Sequence, residues 1–315
     1  MGDGTGKHVL VMTRGLAKIL PDLDPDWRIS YASDDDFTEK LAAGSGRGIE
    51  AIITSGMDQI DAAMLGQLPD LKLISVCAAG YSGIDVAAAS ARGIAVTNGA
   101  NLNNEEVAEY AVLMLLAHRR KLMDHDAYVR ADKWKERRAR PTRSISTERV
   151  GIVGLGNIGI AIAERLVPFG CEIRWWGPRP KDSKWVRMDS LLELAQWSSV
   201  LIVAARGDES TIKLIDRQTL EALGPDGLIV NIGRGFMIDE AEMKAALVDG
   251  RLGGAALDVF EDEPIAGSEW ADIPNVLMAP HVAGATRESL ERVLNGSVDN
   301  VIRLFAGKPL LNRVN

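Results

Sequence analysis

Short apolar runs alternate with longer segments of helical spacing along most of the chain. Runs rich in Val, Ile and Leu that are bounded by Gly, Pro, Asp or Ser are typical of buried strands. In the first hundred residues the predicted strands are His8–Thr13, Trp27–Tyr31, Ala51–Ser55, Lys72–Cys77 and Ile94–Thr97. The predicted helices between them are Asp34–Ala43, Ile60–Gly66 and Ile84–Ala91. Because parallel strands need crossover connections, this alternation predicts βαβ units and a parallel sheet.

The alternation starts again near residue 149, after a long helical pattern that runs from Asn104 to about Lys133. The second set of predicted strands is Arg149–Gly154, Glu172–Trp176, Val200–Ala204, Gly227–Ile232, Gly254–Val259 and Val276–Ala279. The helices predicted with them are Asn157–Phe169, Leu191–Trp197, Asp216–Leu223, Glu240–Asp249 and Arg287–Phe305. Two successive blocks predict an α/β fold with two Rossmann-like or flavodoxin-like lobes, each built on a parallel sheet. We expect the last helix to pack on the first block, since it lies beyond the second sheet.

Composition narrows the functional classes. The chain has 315 residues, which suggests two domains, and its formal net charge is −8. An acidic chain lacks the basic surface that nucleic-acid binding needs, so we expect no such partner. Charged residues interrupt the apolar runs too often for a membrane span. The two cysteines, Cys77 and Cys171, are far apart, which argues against a disulfide framework or a CxxC metal site and predicts a reducing, cytoplasmic setting.

A glycine motif follows the first strand of the second block. Gly154, Gly156 and Gly159 form GxGxxG between a β-branched strand and an apolar helix, the context that makes this motif informative. The first glycine allows the tight turn, the second lets the backbone approach a pyrophosphate, and the third allows close helix–strand packing. Backbone N–H groups and the positive end of the helix dipole favour the diphosphate. We assign these glycines, with Asn157 and Ile158, to a dinucleotide; the alternative is an ordinary glycine-rich turn.

The strand after this motif departs from the NAD pattern. An acidic residue is expected at its end to bind the ribose hydroxyls, but the strand EIRWW is followed by Gly177, Pro178 and Arg179. Glycine leaves room for a 2′-phosphate and arginine attracts it, so we predict NADP(H) as the preferred cofactor, with NAD(H) possible. Arg206, after the strand VLIVAA, is a second candidate for this contact. The alternative for either arginine is a solvated surface position.

Three further residues lie after later strands, where open α/β sheets bind ligands. Arg234 lies between two glycines, and its planar guanidinium suits a carboxylate. His281 follows Pro280 in a loop of small residues and could give or take a proton. Glu263 lies in an acidic turn, and a carboxylate beside an imidazole favours the charged imidazolium. The alternatives are a surface arginine, a structural histidine and a solvated acidic turn. No metal-ligand spacing is present in the sequence.

These residues lie in segments that resemble the D-isomer-specific 2-hydroxyacid dehydrogenases, and among them the glyoxylate/hydroxypyruvate reductases. The segments are GIVGLGNIG, VNIGRGFMIDE, GRLGGAALDVFEDEP and NVLMAPHVAGAT. The resemblance implies that Arg234, Glu263 and His281 form the catalytic set and that Asp258, in ALDVF, contacts the cofactor.

A further similar segment is VCAAGYSGID, near the middle of the first block. The resemblance implies that backbone N–H groups of Ala79 and Gly80 hold the substrate carboxylate, with Tyr81 near the pocket. Arg234 and His281 would contact the same substrate. An ordinary turn after a strand is the alternative for this stretch.

The resemblance also implies the organisation of the chain. The substrate-binding lobe would comprise residues 1–100 and 286–315, and the dinucleotide-binding lobe residues 101–285, with the active site in a cleft between them. It further implies a homodimer formed through the cofactor lobe and the long helix. The segment AARGDEST departs from the family pattern at Arg206, Gly207 and Asp208.

From this we expect an enzyme that reduces glyoxylate, hydroxypyruvate or a similar 2-oxo acid to a D-2-hydroxy acid. Hydride would pass from the nicotinamide to the carbonyl carbon, and His281 would protonate the oxygen. The alternative is a non-catalytic NAD(P)-sensing protein of the same fold that acts by binding partners, as some transcriptional corepressors do. Turnover of a 2-oxo acid would distinguish the two.

Overall fold

The computed structural model describes residues 7–34, 37–136 and 138–315. The chain forms two compact units: unit 1 is Met1–Asn103 with Thr286–Asn315, and unit 2 is Asn104–Ala285. Both are α/β units on parallel sheets, as the alternating pattern predicts. Part of one predicted helix, at residues 35 and 36, lies outside the described residues. None of the helices within the described ranges is both long and apolar enough to cross a membrane.

Unit 1 contains a five-stranded sheet in the order β2-β1-β3-β4-β5, the doubly wound order of flavodoxin-like folds. Its strands are β1 His8–Val11, β2 Arg28–Tyr31, β3 Ile49–Thr54, β4 Leu73–Val76 and β5 Ala95–Thr97. Its first helices are α1 Arg14–Ala17, α2 Phe37–Lys40, α3 Ala62–Gly66 and α4 Val86–Ala91. The central strands are buried on both faces, which explains why they consist almost wholly of apolar residues.

The last helix, α11 (Arg287–Phe305), completes unit 1. Its apolar face buries Leu294, Val298 and Val301 in the same core cluster as strands β1, β3 and β4. The hydroxyl of Ser75 in β4 donates to the carbonyl oxygen of Ser297 at 2.9 Å. The expectation that this helix packs on the first block is therefore confirmed.

Unit 2 contains a seven-stranded sheet in the order β12-β11-β10-β9-β6-β7-β8. Starting from β6, this is the Rossmann order with one strand added beyond β11. The strands are β6 Arg149–Val153, β7 Glu172–Trp176, β8 Val186–Arg187, β9 Val200–Val203, β10 Leu228–Asn231, β11 Gly254–Leu257 and β12 Val276–Met278. The helices from α7 onward are α7 Asn157–Leu166, α8 Leu191–Trp197, α9 Arg217–Leu223 and α10 Glu240–Val248. The strand order reverses between β6 and β9, where Rossmann folds bind dinucleotides.

The prediction of a single long helix from Asn104 to about Lys133 is wrong. The structure has α5 (Asn104–Arg119) and α6 (Leu122–Arg130), separated at Lys121, whose φ is +51°. A left-handed residue cannot continue a right-handed helix, so the chain changes direction there. The apolar stripe of the first part, Val107, Ala111 and Leu115, is buried in the unit 2 core.

Candidate active site

The glycine motif forms the turn between β6 and α7. Gly154 has φ +93°, and a Cβ there would lie 2.6 Å from the Cα of Ala205 in the loop after β9. A Cβ on Gly159 would collide with the carbonyl oxygen of Gly154. A Cβ on Gly156 would meet nothing within 4 Å, and no side chain caps α7 at this residue. The turn therefore leaves open space at a helix N-terminus, which fits a diphosphate.

The end of β7 lies directly beside this turn, because the N–H of Gly154 donates to the carbonyl oxygen of Trp176 at 2.8 Å. Gly177 is buried, and no acidic residue occurs between Trp176 and Lys181. Arg179 is exposed and makes no hydrogen bond or ion pair with the described part of the chain. Lys181, which the sequence analysis missed, donates from Nζ to the carbonyl oxygen of Leu155 at 3.2 Å. Two basic residues, Arg179 and Lys181, thus follow the position at which NAD-specific proteins have an acidic residue.

The second arginine candidate lies on the other side of the turn, since β6 separates β9 from β7 in the sheet. Arg206 is exposed in the loop after β9. Its neighbour Asp208 caps the following turn, and hydrogen bonds from Ser210, helped by Arg206, lower the pKa of Asp208. A Cβ on Gly207 would lie 2.7 Å from Cγ of Arg234. The departure AARGDEST therefore places a glycine directly against the stem of Arg234.

Arg234 lies in the loop after β10. Hydrogen bonds between residues of this loop stabilise it. The amide of Asn231 donates to the carbonyl oxygen of Arg234 at 3.1 Å and accepts from the N–H of Gly233 at 3.0 Å. The guanidinium donates to the carbonyl oxygen of Gly233 at 2.7 Å. A Cβ on Gly235 would collide with the backbone of Phe260, so this glycine lets the loop pack on the loop after β11.

Glu263 and His281 form a direct pair. Nδ1 of His281 lies 2.7 Å from Oε2 of Glu263, while Oε1 accepts from the N–H of Phe260 at 3.0 Å. The imidazole is half exposed and the carboxylate about one-third exposed. Because the carboxylate accepts a hydrogen bond from Nδ1–H, the other ring nitrogen, Nε2, faces away from this pair and donates when the imidazole is charged. The arrangement suits proton exchange with a ligand oxygen.

Asp258 lies at the end of β11 and is 1% exposed. Its two carboxylate oxygens accept from the N–H groups of Val282 and Ala283, each at 2.8 Å. Burial raises the pKa of Asp258, and these bonds with the nearby His281 oppose that rise. Burial and the charge of Asp258 also raise the pKa of Tyr110 on α5. The buried carboxylate thus lies beside the His281 segment.

The structure brings Arg234, Glu263 and His281 onto loops after three neighbouring strands, β10, β11 and β12. Ala79, Gly80 and Tyr81 belong to unit 1, after β4. There the amide of Asn98 donates to the carbonyl oxygen of Ala79 at 2.7 Å. Within the described ranges, no group of three His, Cys, Asp or Glu side chains could hold a metal ion.

Comparisons with known proteins show which family the chain is similar to. The family described as D-isomer specific 2-hydroxyacid dehydrogenase, NAD binding domain, matches residues 112–283. Glyoxylate/hydroxypyruvate reductase A of Arabidopsis thaliana is 40% identical over 84% of this chain and 85% of its own. The 2-ketogluconate reductase of Gluconobacter oxydans is 39% identical over 84% and 86%.

Solved structures are similar over nearly the whole chain. A 2-hydroxyacid dehydrogenase from Ketogulonicigenium vulgare matches with a TM-score of 0.92 and 35% identity, covering 99% of each chain. An NADPH-dependent glyoxylate/hydroxypyruvate reductase from Sinorhizobium meliloti, in complex with NADP and malonate, matches with a TM-score of 0.84 and 31% identity. That match covers 98% of this chain and 97% of the other.

Proposed function

Because the chain belongs to the D-isomer-specific 2-hydroxyacid dehydrogenase family, we propose that it reduces glyoxylate, hydroxypyruvate or a similar 2-oxo acid to the D-2-hydroxy acid, with NADP(H) as the preferred cofactor. The chain is an NAD(P)-dependent oxidoreductase, and the similar proteins support this rather than the nucleotide-sensing binding protein. One observation carries the assignment of the chemistry: Nδ1 of His281 lies 2.7 Å from Glu263, on loops at the carboxyl edge of a Rossmann sheet.

The glycine turn fits a nicotinamide dinucleotide. The open space at Gly156 and the start of α7, at Asn157 and Ile158, would hold the diphosphate. Gly154 and Gly159 would keep the turn close to its helix and to the loop after β9. When bound, the nicotinamide supplies the hydride for reduction and accepts it in the reverse direction.

His281 would donate a proton from Nε2 to the substrate oxygen during reduction and accept it during oxidation. Glu263 would keep the ring in one orientation and stabilise its charged form. Such a pair can work in both directions, so the physiological direction depends on the concentrations of the substrates.

Arg234 would bind the substrate carboxylate with its planar guanidinium. Backbone N–H groups of Ala79 and Gly80, with Tyr81 near the pocket, remain predicted partners of the same carboxylate. Asp258 remains a predicted cofactor residue. The closing of the lobes and the exclusion of water from the reaction also stay predictions.

The preference for NADP(H) rests on the end of β7. Gly177 removes the repulsion that an acidic residue would exert on a 2′-phosphate, and Arg179 is exposed with its guanidinium available. Lys181, bonded to the glycine turn, adds a second cation. Arg206 follows the strand on the opposite side of β6, so we place it second to Arg179.

We also propose a homodimer formed through α5 and α6. These helices and the turn after them expose several large apolar side chains: Leu113, Leu122, Met123, Val129 and Trp134. An apolar surface of this kind favours association. A cytoplasmic location stays a prediction.

The proposed activity is tested by following NADPH and NADH oxidation with glyoxylate, hydroxypyruvate, pyruvate and phenylpyruvate, and by determining the chirality of each product. His281→Ala should lower kcat by about 10²–10⁴-fold, because it removes the proton donor. His125→Ala, on α6, is the control and should leave kcat unchanged. An unaffected kcat in His281→Ala, or no turnover of any 2-oxo acid, would refute the proposal.

A further inference from the structure

We propose that Arg187 on β8 is a positioning residue for the cofactor preference: it holds the segment after β7 in place and gives that segment a third positive charge. The inference rests on the proposed binding of NADP(H) at the end of β7. Arg187 lies outside the glycine motif and outside the segments that resemble the family.

Arg187 and Trp175 are neighbours in the sheet of unit 2. Strands β7 and β8 are parallel, and Trp175 lies opposite Arg187. Side chains at one register position lie on the same face, and Cζ of Arg187 lies 5.8 Å from the centre of the Trp175 ring. Its Nη2 donates to the carbonyl oxygen of Gly177 at 2.8 Å. Arg187 therefore reaches across the strand pair to the first residue after β7.

The same strand pair holds both ends of the loop between β7 and β8, residues 177–185. Arg187 bonds to the first residue of this loop. Nε1 of Trp175 donates to the carbonyl oxygen of Trp185, at its other end, at 3.1 Å. The loop that contains Arg179 is thus fixed at both ends, and Arg187 fixes the end that lies nearest the proposed 2′-phosphate site.

Arg187 is kept at a cost to stability. The residue is half-buried, and within the described part of the chain its Nε is buried without a hydrogen-bond partner. A buried donor of a charged group is destabilising when it has no partner, so its presence calls for an explanation. An apolar side chain could pack on Trp175 without this cost. What the arginine adds is a positive charge beside Gly177, the position at which NAD-specific proteins have an acidic residue.

A positive charge at this place distinguishes the two cofactors. NADPH differs from NADH by a 2′-phosphate, and a phosphate monoester has a charge of about −1.5 to −2 at pH 7. A nearby cation stabilises this group and acts much less on the neutral hydroxyl of NADH. Arg179 and Lys181 are exposed, so salt screens them more than it screens the half-buried Arg187. Arg187 therefore adds to the discrimination without a contact to the reacting atoms.

The test measures the Kd for NADPH and for NADH by calorimetry in the full-length protein. R187M keeps an apolar stem over Trp175 and removes both the charge and the donor to Gly177. It should raise the Kd for NADPH about threefold to tenfold and change the Kd for NADH less than about twofold. R187K keeps the charge and should recover most of the affinity for NADPH. The kcat at saturating NADPH should stay unchanged in both variants.

The matched control is R174M. Cζ of Arg174 lies 4.5 Å from the centre of the Trp197 ring, and Nη1 donates to Sδ of Met188 at 3.6 Å. Because Arg174 directly precedes Trp175 in β7, its side chain lies on the opposite face of the sheet. The control removes the same net charge and should leave the ratio of the two Kd values unchanged. A similar change of this ratio in R174M and R187M would contradict a specific role of Arg187.

The outcomes separate this inference from the proposed function. A protein that binds neither dinucleotide would refute the proposed function, and the inference would fall with it. If the original protein binds NADPH and R187M keeps the same ratio of Kd values, only the inference is wrong. An equal rise of both Kd values would show a purely structural role and would also overturn it.

A second variant covers the case in which R187M does not fold. R187Q keeps an amide donor for the carbonyl oxygen of Gly177 and lacks the charge. It should raise the Kd for NADPH about threefold relative to that for NADH, and an unchanged ratio would contradict the inference. A preference for NADH in the original protein would refute the predicted cofactor choice, whereas the role of Arg187 is decided by the change of the ratio on its replacement.

Discussion

Contacts within unit 2 hold the side chain of Arg234 in place. Its guanidinium is bonded to the adjacent carbonyl oxygen of Gly233, and its stem lies against Gly207. If it binds the substrate carboxylate, Arg234→Ala should raise the KM for the 2-oxo acid about tenfold to a hundredfold, the cost of one charged hydrogen-bonded contact. Arg234→Lys should fall between, because it keeps the charge and loses the planar fork. Arg217→Ala serves as the control, because Arg217 forms a surface ion pair with Glu221. An unchanged KM in Arg234→Ala would contradict the proposed role of Arg234.

The predicted preference for NADP(H) also rests on single residues. Arg179→Ala should lower the ratio of kcat/KM for NADPH to that for NADH by about tenfold, since one charged contact to the 2′-phosphate is lost. Lys181→Met should lower the same ratio less. Lys184→Met is the matched control, because Lys184 lies in the same loop and pairs with Glu164 instead. An equal or better kcat/KM with NADH in the unaltered protein would contradict the predicted preference.

The candidate side chains of this site can be predicted from the sequence, but the hydrogen bonds around them cannot. Arg234, Glu263 and His281 can be found because each follows an apolar strand within a recognisable segment. The contact of Lys181 with Leu155 depends on how two loops meet, and no spacing in the sequence indicates it. The same holds for the bonds from Val282 and Ala283 to Asp258, and for the positive φ of His281.

At the level of elements, buried strands could be predicted closely, because continuous apolar runs bounded by turn residues have few alternatives. The predicted Glu172–Trp176 and Leu191–Trp197 coincide with β7 and α8. β8 was missed, since two residues at a sheet edge leave no apolar pattern. The break between α5 and α6 was missed as well, because neither Gly nor Pro lies near Lys121 to indicate it.

Helix α5 contributes a pH dependence of stability through His118. This side chain is buried, Nε2 lies 2.9 Å from the carbonyl oxygen of Asn275, and burial lowers the pKa to about 4 from 6.5. Its folded-state pKa lies below the unfolded value, so the unfolded state binds the extra proton. The contribution to stability is therefore present above about pH 6.5 and is lost as the pH falls toward 4. By pH 5 the loss amounts to about 2 kcal/mol.

The measurement is the free energy of unfolding in urea at pH 7.5 and pH 5. In His118→Gln the fall between the two pH values should be smaller by this amount. His125→Gln should keep the original fall. Identical falls in the original protein and in His118→Gln would show that burial does not depress this pKa.

For the whole molecule, the exposed apolar side chains of α5 and α6 predict association. Leu122→Asp combined with Val129→Asp should convert a dimer to a monomer, because a charge in an apolar interface is costly to bury. Light scattering after size-exclusion chromatography gives the mass. Val186→Asp is the control, since Val186 is about as exposed as Leu122 and Val129 but lies on the edge strand β8 and not on α5 or α6. A dimer that survives the double substitution would place the interface elsewhere.

The return of the chain to unit 1 affects how the protein is made. Ser75 bonds to Ser297, 222 residues further along, and the whole of unit 2 lies between them. At about 5–20 residues per second, a ribosome needs between about 10 and 45 s to pass from one to the other. During that interval unit 2 is being synthesised, while the strands of unit 1 have emerged without the helix that covers them. Synthesis therefore exposes the apolar face of the first sheet to chaperones and to neighbouring nascent chains until the last helix leaves the exit tunnel.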